Sequence, residues 1–460
     1  MKKLRYIALS LVVVLTSGCE KFLDYPPEGA ILAEDALNTP DDMQRLLNSC
    51  YDVLANVFDG SYQNMAELMS DNLAYPTGLD FQAIYNRETN FFTPYTGGVY
   101  ADFYYTIYRC NTLLVNFDLI EGLSDAERQR MEAEARFIRA LCHYYVAMIW
   151  SQPYGYSDDN SHLSIVIRDE PSNEPLARSS CADVFGFILT DLQYAYDNLP
   201  VSNGVYASKY AAAGLQSMVH FQMHNYQEAA DKASEVLTSG AITFNEESID
   251  HFPSNDTLFT AFINQETAFG IVSFQNDVRT EDLIGNYNSS GALPPALTLS
   301  TDFVNLMNSS GGDARSSWVD QDGSAYLCNK YAGKTIFNIP IIYATELKLI
   351  RAESLAEING DLGVAIADIN DIRTRAFGEG VNPLSESSSA SEVIEAARDE
   401  YRKETVAEGK WVLQLKRIGA QGEDVSIRNA PWNCPGMALQ FPNSEFTGAS
   451  FVGNPEGGCQ

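Results

Sequence analysis

The chain has 460 residues with 30 basic and 61 acidic side chains, which gives a formal net charge of −31. Such an acidic surface repels nucleic acid and anionic lipid headgroups, so the charge argues against a phosphate-binding partner. The length is sufficient to bury a large hydrophobic core.

A lipoprotein signal peptide is predicted at residues 1–18. Three basic residues precede an apolar run at positions 6–15 that is too short to span a bilayer, and small residues then lead up to Cys19. This pattern resembles a bacterial lipobox, whose cysteine carries the acyl chains; the alternative is an ordinary signal peptide with an incidental cysteine. No later stretch approaches eighteen continuous apolar residues, so lipid on Cys19 is predicted to be the only membrane tether.

Helical periodicity dominates the next part of the chain. In residues 127–150, apolar side chains from Met131 to Ile149 recur at alternating intervals of four and three, as on one face of a long amphipathic helix. Residues 182–200 show the same pattern and end at Pro200, which is typical of a helix terminus.

An internal repeat defines the expected architecture. Residues 220–237 and 355–372 align without a gap, each with a helix, a tight turn and a second helix, and Ala230 matches Ala365. The unit resembles the tetratricopeptide helix-turn-helix. We therefore predict a mainly α fold, a superhelix of tetratricopeptide-like helix pairs with loop-rich insertions and a few short strands. The helical scaffold is expected at about residues 40–240 and 340–420 of a single domain that covers residues 19–460.

Two segments have a looser composition, at about residues 241–339 and 421–460. The first alternates short β-prone runs with Asn, Ser and Gly, and the second is rich in Asn, Pro and Gly. Long irregular segments on a rigid scaffold often carry binding function, so the ligand side is expected there. In an exported protein, Cys434 and Cys459 of the tail are predicted to form a disulfide, the alternative being two free thiols. Cys110 and Cys142 lie in helical patterns and are predicted to be buried thiols.

Two motifs resemble ligand sites and are rejected. The sequence YAGKT at residues 331–335 resembles a phosphate loop, but Cys328 stands where the first glycine belongs. His220 and His224 are spaced four apart on a predicted helix, which suits zinc, but no third ligand is nearby. The histidines are therefore interpreted as ordinary helix residues, and no metal or cofactor is predicted.

Acidic residues near the end of the scaffold were considered as catalytic groups. Glu400, Glu404 and Glu408 share a predicted helical face, with basic residues interleaved among them, so they are interpreted as surface or helix-packing charges. No nucleophile motif is present in the sequence. The protein is therefore predicted not to be an enzyme.

Several segments match, in order, the signatures of a known family. They are CEKFLDYPPEG after the signal peptide, YYTIYRCNTLL with Arg109 and Asn111, AEARFIRALCHYYVAMIWSQPY, the segments that begin ELKLIRAESL and RDEYRKETVA, and the closing LQFPNSEFTGASFVGNPEGG. On these motifs the chain resembles the SusD/RagB family of outer-membrane lipoproteins from Bacteroidota. The resemblance runs from Cys19 to the tail and is weakest in the middle segment.

The resemblance implies a cell-surface binding role without catalysis. Members capture oligosaccharides, or sometimes peptides, and deliver them to a SusC-like TonB-dependent transporter, over whose barrel they close as a lid. Two other classes remain open: a helical scaffold that binds another protein, and a surface glycosidase, which would need two carboxylates flanking a sugar.

Candidate ligand-binding residues lie in two irregular stretches that resemble, by position, the pocket regions of the family. Aromatic rings there can stack on the apolar faces of sugars, with Asp or Asn as polar partners. The residues are Tyr75, Asp80, Tyr85, Tyr287, Asn288, Trp318 and Tyr326. Trp318 is the strongest of them, because polar and small neighbours leave little local sequence to bury an indole. The alternative for each residue is that it only anchors its own loop.

Overall fold

The computed structural model describes residues 37–253, 265–288, 294–448, 450–456 and 459. The predicted signal peptide and Cys19 lie outside the described residues. The described part is mainly α-helical with a few short strands, which confirms the predicted fold class.

The helices are numbered in chain order. They are α1 Pro40–Val57, α2 Ser61–Met69, α3 Leu79–Tyr85, α4 Pro94–Asn116, α5 Asp125–Trp150, α6 Cys181–Asn198, α7 Lys209–Gln222, α8 Tyr226–Thr238, α9 Glu281–Tyr287, α10 Thr301–Met307, α11 Ala344–Glu357, α12 Leu362–Phe377, α13 Ala390–Glu404 and α14 Trp411–Ala420. The strands are β1 Thr267–Ile271, β2 Val319–Asp322, β3 Ala325–Cys328, β4 Ile339–Tyr343, β5 Ser426–Ile427 and β6 Ala430–Pro431. They form three antiparallel pairs, β1 with β4, β2 with β3 and β5 with β6.

Capping boxes fix the starts of α1, α5 and α13. At α5, the Ser124 hydroxyl accepts a hydrogen bond from the Glu127 amide at 3.3 Å, and the Glu127 carboxylate accepts one from the Ser124 amide at 3.2 Å. Two backbone donors that the helix cannot satisfy are thereby paired, so each helix begins where its Ser or Thr occurs.

The two repeats form the helix pairs α7–α8 and α11–α12. His224 and Asn359 occupy the same position of the repeat, and both adopt left-handed backbone in the turn, with φ of 62° and 50°. Ala230 and Ala365 are both buried. Since α11 also packs against α8, the two pairs are neighbours in space although the loop-rich segment separates them in sequence. His224 follows the end of α7, so the two histidines do not share a helical face, contrary to the sequence interpretation.

Buried ion pairs attach the loop-rich segment to the scaffold. Arg315, which is fully buried, pairs with Glu400 at 2.7 Å and Glu404 at 2.8 Å on α13. Lys330 pairs with Glu408 at 2.6 Å. These glutamates are thus packing charges between two parts of the fold. Glu408 lies beyond the end of α13, so the expectation that all three share one helical face is wrong.

The tail is fastened to the scaffold at several points. A disulfide joins Cys434 to Cys459, with the Cα atoms 5.8 Å apart and the two cysteines separated by 25 positions in sequence. The Leu439 amide donates to the Ile149 carbonyl at the end of α5 at 2.8 Å. Cys110 and Cys142 are buried free thiols, as predicted. Among the described helices, none has the length and apolar character needed to cross a bilayer.

Candidate ligand-binding cleft

A cleft of about 910 Å³ lies where four irregular parts of the chain meet. Its walls come from the segment after α2, the α3–α4 connection, the start of α10 and the β5–β6 hairpin. Charged and aromatic residues of its lining include Asp71, Tyr85, Arg87, Glu88, Asp302 and Arg428. Cys459 also lines the cleft, so the tail disulfide is part of its wall.

Backbone pairing holds one wall in place. Leu73 bridges to Leu299, and the amide of Leu299 donates to the Tyr326 carbonyl at 2.7 Å. Ser300 then begins α10, because its hydroxyl accepts from the Phe303 amide at 3.2 Å. The segment after α2 is therefore joined to the loop-rich segment as a short irregular sheet, and the cleft opens beside it.

Arg87 and Arg428 cross-link the opposite wall. Arg87 donates to the backbone carbonyl of Ile427, and Arg428 donates to the carbonyl of Tyr85 at 2.7 Å. The Arg428 guanidinium also lies over the Tyr85 ring, 4.0 Å from its centroid, in cation–π geometry. Each arginine thus ties the α3–α4 connection to the β5–β6 hairpin.

The backbone of this wall is strained. Arg87, Arg428 and Asn429 all adopt left-handed conformations, with φ of 62°, 47° and 63°. Residues other than glycine rarely adopt this backbone conformation. Where they do, the surrounding structure must hold them in it. Gly436 allows the tail to pack closely against this wall, since a Cβ at that position would lie 2.3 Å from the Arg87 carbonyl oxygen.

The wall carries two partly desolvated arginines, although the protein as a whole is acidic. Burial lowers the pKa of Arg87. Burial, together with the neighbouring charge of Arg87, lowers the pKa of Arg428 to about 10. Asp71 also lines the cleft, but its carboxylate is held by Arg402 at 3.0 Å and accepts from the Trp411 indole N–H at 2.9 Å.

Of the predicted ligand-binding residues, Tyr85 lines this cleft, and Tyr75, Asp80 and Tyr326 lie on segments joined to its walls. Tyr75 packs edge-on against Tyr85 with ring centroids 5.4 Å apart. Tyr75 is 58% exposed, so its ring is available to a ligand. Asp80 is half-buried in the first turn of α3, the helix that ends at Tyr85. Tyr326 is half-buried and bonds through its backbone to the wall described above.

The other three predicted residues are placed differently. Trp318 is 7% exposed and packs in the core, with the Lys330 ammonium 4.7 Å from its ring centroid. Tyr287 is also buried, at the end of α9. Asn288 follows as the cap of α9, and its amide donates to the Ile284 carbonyl at 2.9 Å. The expectation that Trp318 projects from a polar loop is therefore wrong, because tertiary contacts supply the burial that its local sequence lacks.

Sequence reasoning missed the two arginines of the wall. The available signal was weak: Arg87 and Arg428 each stand beside an Asn in an irregular segment, in a chain that is poor in basic residues. Nothing in the sequence indicates that the two segments meet.

A second cleft, of about 480 Å³, lies between α4 and the tail and is lined by tyrosines at positions 100, 104, 105 and 108. Its arginine, Arg168, is already engaged with the carbonyls of Ser172 at 2.9 Å and Glu174 at 3.1 Å. None of the predicted ligand-binding residues lines it. The larger cleft is therefore the candidate site. Within the described residues, no three His, Cys, Asp or Glu side chains are grouped as a metal site.

The fold and the cleft together define a helical-repeat protein that presents a polar, partly aromatic cleft at the junction of its irregular segments. Comparison with known sequences gives the family. Residues 206–441 match the SusD family, and residues 21–221 match a family described as starch-binding and associating with the outer membrane. The chain belongs to the SusD family.

Individual relatives are distant. SusD-like protein P25 of Formosa agariphila is 24% identical over 309 residues, which are 64% of this chain and 56% of that protein. A SusD-like protein of Bacteroides ovatus is 27% identical over 229 residues, 47% of this chain and 39% of that protein. SusD-like protein P2 of Formosa agariphila is 25% identical over 472 aligned positions, 91% of each chain. The first two matches thus span well under two thirds of those relatives.

Solved structures show the same fold. A SusD superfamily protein of Bacteroides thetaiotaomicron superposes with a TM-score of 0.81 at 21% identity, covering 91% of this chain and 100% of that one. A laminarin-binding SusD-like protein superposes with a TM-score of 0.70 at 19% identity, with coverage of 91% and 100%. At such identities, the likeness establishes the fold.

Proposed function

We propose that this protein captures oligosaccharides at the cell surface in the 910 Å³ cleft and delivers them to a SusC-like TonB-dependent transporter. In this proposal the protein is tethered to the outer membrane through lipid on Cys19 and covers the transporter barrel as a lid. It binds its ligand without chemical conversion. The observation that carries the proposal is an open cleft lined by clustered polar groups, with the exposed ring of Tyr75 packed against Tyr85 of its lining.

The chemistry of the cleft suits a sugar. A pyranose presents apolar C–H faces that stack on aromatic rings, and hydroxyl groups that need hydrogen-bond partners. Tyr75, which packs against Tyr85 of the cleft lining, offers the ring. Glu88, Asp302 and Asn429 supply exposed polar groups in the lining itself. Because Arg428 covers one face of Tyr85, Tyr75 is the residue with the free aromatic surface.

The relatives support the same ligand class. One of the two matching families is described as starch-binding, and a structural neighbour binds laminarin, so carbohydrate is favoured over peptide. Binding and turnover assays distinguish this proposal from three alternatives: a peptide receptor, a protein-binding scaffold and a glycosidase.

Binding and turnover are tested together on a glycan array and a peptide library, with a reducing-end assay on every bound glycan. We expect glycan binding without product. Tyr75→Ala should weaken that binding at least about tenfold, because it removes a stacking surface without opening the core. Tyr105→Ala is the matched control, since Tyr105 is 50% exposed and lines only the second cleft.

Each other outcome points to a different class. Release of new reducing ends would identify a glycosidase, and binding of peptides alone would identify a peptide receptor. Binding of neither would favour the scaffold. Loss of affinity in Tyr105→Ala rather than in Tyr75→Ala would move the site to the second cleft.

The transporter partnership is tested by gentle detergent extraction from the native outer membrane. We expect the protein to copurify with a TonB-dependent barrel through an interface larger than the roughly 1,600 Å² of a standard complex, since a lid must cover the barrel mouth. Repeated recovery of the protein alone, from membranes in which the barrel is intact, would contradict the lid proposal.

A further inference from the structure

Two arginines of the cleft have no acidic partner. Within the described residues, neither Arg87 nor Arg428 forms an ion pair, although both line the cleft. The Arg87 Nε and the Arg428 Nη1 are also buried without a hydrogen-bond acceptor in this part of the chain. Arg87 is only 7% exposed, so bulk solvent reaches little of this residue.

Other buried arginines of the protein show what is missing. Arg139 pairs with Asp191 at 2.7 Å, Arg375 with Glu266 at 2.9 Å, and Arg417 with Glu353 at 2.6 Å. Buried charges are normally compensated in this way, because an unpaired one is costly. The chain has twice as many acidic as basic residues, yet no described carboxylate forms an ion pair with Arg87 or Arg428.

Arg178 is a comparable buried arginine, but its hydrogen bonds differ from those of the cleft pair. It also lacks a carboxylate partner in the described residues and is desolvated, with its pKa lowered to about 10 by burial. Its guanidinium, however, donates to the carbonyls of Leu163 at 2.8 Å and Val452 at 3.1 Å, and also to that of Ser164. Arg178 therefore donates from all three guanidinium nitrogens, whereas Arg87 and Arg428 each leave one guanidinium nitrogen without an acceptor among the described residues.

The two cleft arginines also repel each other. The charge of Arg87 makes it harder for Arg428 to stay protonated, and both residues are held in left-handed backbone. Like charges, strain and unpaired donors at one place cost folding free energy, and such costs are retained mainly where a ligand relieves them. An anion in the cleft would offset both charges at once.

We propose that the saccharide bound in this cleft carries an anionic substituent, a carboxylate or a sulfate, which lies against the Arg87–Arg428 pair. This inference rests on the proposed function, namely that the cleft binds a glycan. Arginine suits such groups because its planar guanidinium donates hydrogen bonds in pairs to carboxylate and sulfate oxygens.

The acidic groups of the cleft do not neutralise the pair. Asp71 raises the pKa of Arg428, but its carboxylate is already engaged by Arg402 and Trp411. Glu88 and Asp302 are exposed on the cleft lining, where they can accept hydrogen bonds from sugar hydroxyls. The cleft therefore combines a cationic wall for the substituent with acidic acceptors for the rest of the sugar.

The test uses the full chain in detergent on an array of matched glycan pairs. Each acidic glycan, uronate-containing or sulfated, is printed beside its methyl-esterified or desulfated counterpart, so that the two differ only at the anionic substituent. We expect the acidic member to bind at least about tenfold more tightly, and this preference to fall as salt is raised. Separate uronate and sulfate arms identify which anion is bound.

Substitutions then assign the preference to the arginines. Arg428→Gln and Arg87→Gln should each reduce the acidic-to-neutral preference towards one. Arg178→Gln is the matched control, since it removes a desolvated arginine that lies outside this cleft, and the preference should survive. If both cleft variants fail to fold, the salt dependence and the acidic–neutral glycan pairs still test the inference on the unaltered protein.

The outcomes separate this inference from the proposed function. Binding of neutral members alone, or equal binding within pairs, would overturn the anionic ligand and leave glycan capture intact. A preference that both cleft variants retain would also overturn it. Binding of no glycan of either kind would contradict both proposals.

Discussion

Arg87 and Arg428 reach across the same wall in opposite directions, each donating to a backbone carbonyl in the other's segment. Arg87 bonds to Ile427, the residue before Arg428, and Arg428 bonds to Tyr85, two residues before Arg87. This reciprocal arrangement closes the wall with two cations and no counter-ion in the described residues. If the cleft binds the ligand as proposed, we expect stability and ligand binding to be coupled at this wall.

A substitution at Gly436 tests whether stability and binding are coupled. Replacing it with alanine would place a Cβ 2.3 Å from the Arg87 carbonyl oxygen and 2.5 Å from the Arg87 Cβ. We expect Gly436→Ala to cost about 1–3 kcal/mol in unfolding free energy and to weaken ligand binding, because Arg87 must move. Urea denaturation and a binding titration measure the two effects.

Gly186→Ala is the control for that substitution. Gly186 lies within α6, and a Cβ there meets no heavy atom within 4 Å. The change should leave binding unaltered and raise stability by up to about 1 kcal/mol, since alanine favours helix. Equal behaviour of the two variants would show that Gly436 does not position Arg87.

Trp318→Ala is expected to lower the stability of the fold. The indole is buried in the core, so its removal is expected to cost about 3–5 kcal/mol while ligand affinity in the folded fraction is unchanged. Thermal denaturation and titration of the same sample distinguish the two roles. Loss of affinity with an unaltered melting temperature would restore Trp318 as a ligand-binding residue.

Glu404 makes stability depend on pH. Its burial disfavours the charge, but Arg375 at 3.0 Å and Arg315 at 2.8 Å hold its pKa well below the ordinary value of 4.5. A carboxylate with a depressed folded-state pKa contributes stability above its unfolded pKa and loses that contribution as pH falls. We expect Glu404→Gln to cost about 3 kcal/mol at pH 7, because it uncouples buried cations, and progressively less below pH 4.5.

Urea denaturation between pH 3 and pH 8 measures this difference. Glu121→Gln is the control, since Glu121 is exposed and forms no ion pair among the described residues. His251, also bonded to Glu404 at 2.7 Å, has a raised pKa and contributes in the opposite window, at low pH, with loss as pH rises. A Glu404→Gln penalty that does not vary with pH would contradict the assignment.

The tail disulfide should stabilise both the fold and the cleft. Closing a loop of 25 residues contributes on the order of 3 kcal/mol in the chain-entropy model. The double variant Cys434→Ser/Cys459→Ser is expected to melt lower and to bind more weakly, because Cys459 lines the cleft. Cys110→Ser, which alters a buried free thiol, controls for removal of a sulfur. Nonreducing mass mapping that found both tail cysteines alkylated would count against the bond.

Cys19 is expected to carry the membrane anchor. Cys19→Ala should abolish acylation and release the protein from the outer-membrane fraction, because a short signal-sequence core leaves no other tether. Palmitate labelling and membrane fractionation measure the two effects. Labelling that persists in the variant would falsify the lipobox assignment.

The sequence by itself determined the features that depend on local chemistry. Apolar periodicity predicted the α5 helix, because one helical face must meet the core wherever that core lies. The repeat predicted two equivalent helix pairs, and their turns indeed place His224 and Asn359 in the same left-handed conformation. The sequence could also identify Tyr75 and Tyr85 as a pair of candidates, since both lie in one short stretch of the chain.

Only the tertiary structure decided the features that depend on distant segments. Trp318 has polar neighbours in sequence, yet it is buried, because Lys330 and the core cover it. The contact between Arg87 and Ile427 joins residues 340 positions apart. Coulomb energy depends on separation in space, so two ordinary arginines become an uncompensated cationic wall only when folding removes them from water and places them side by side.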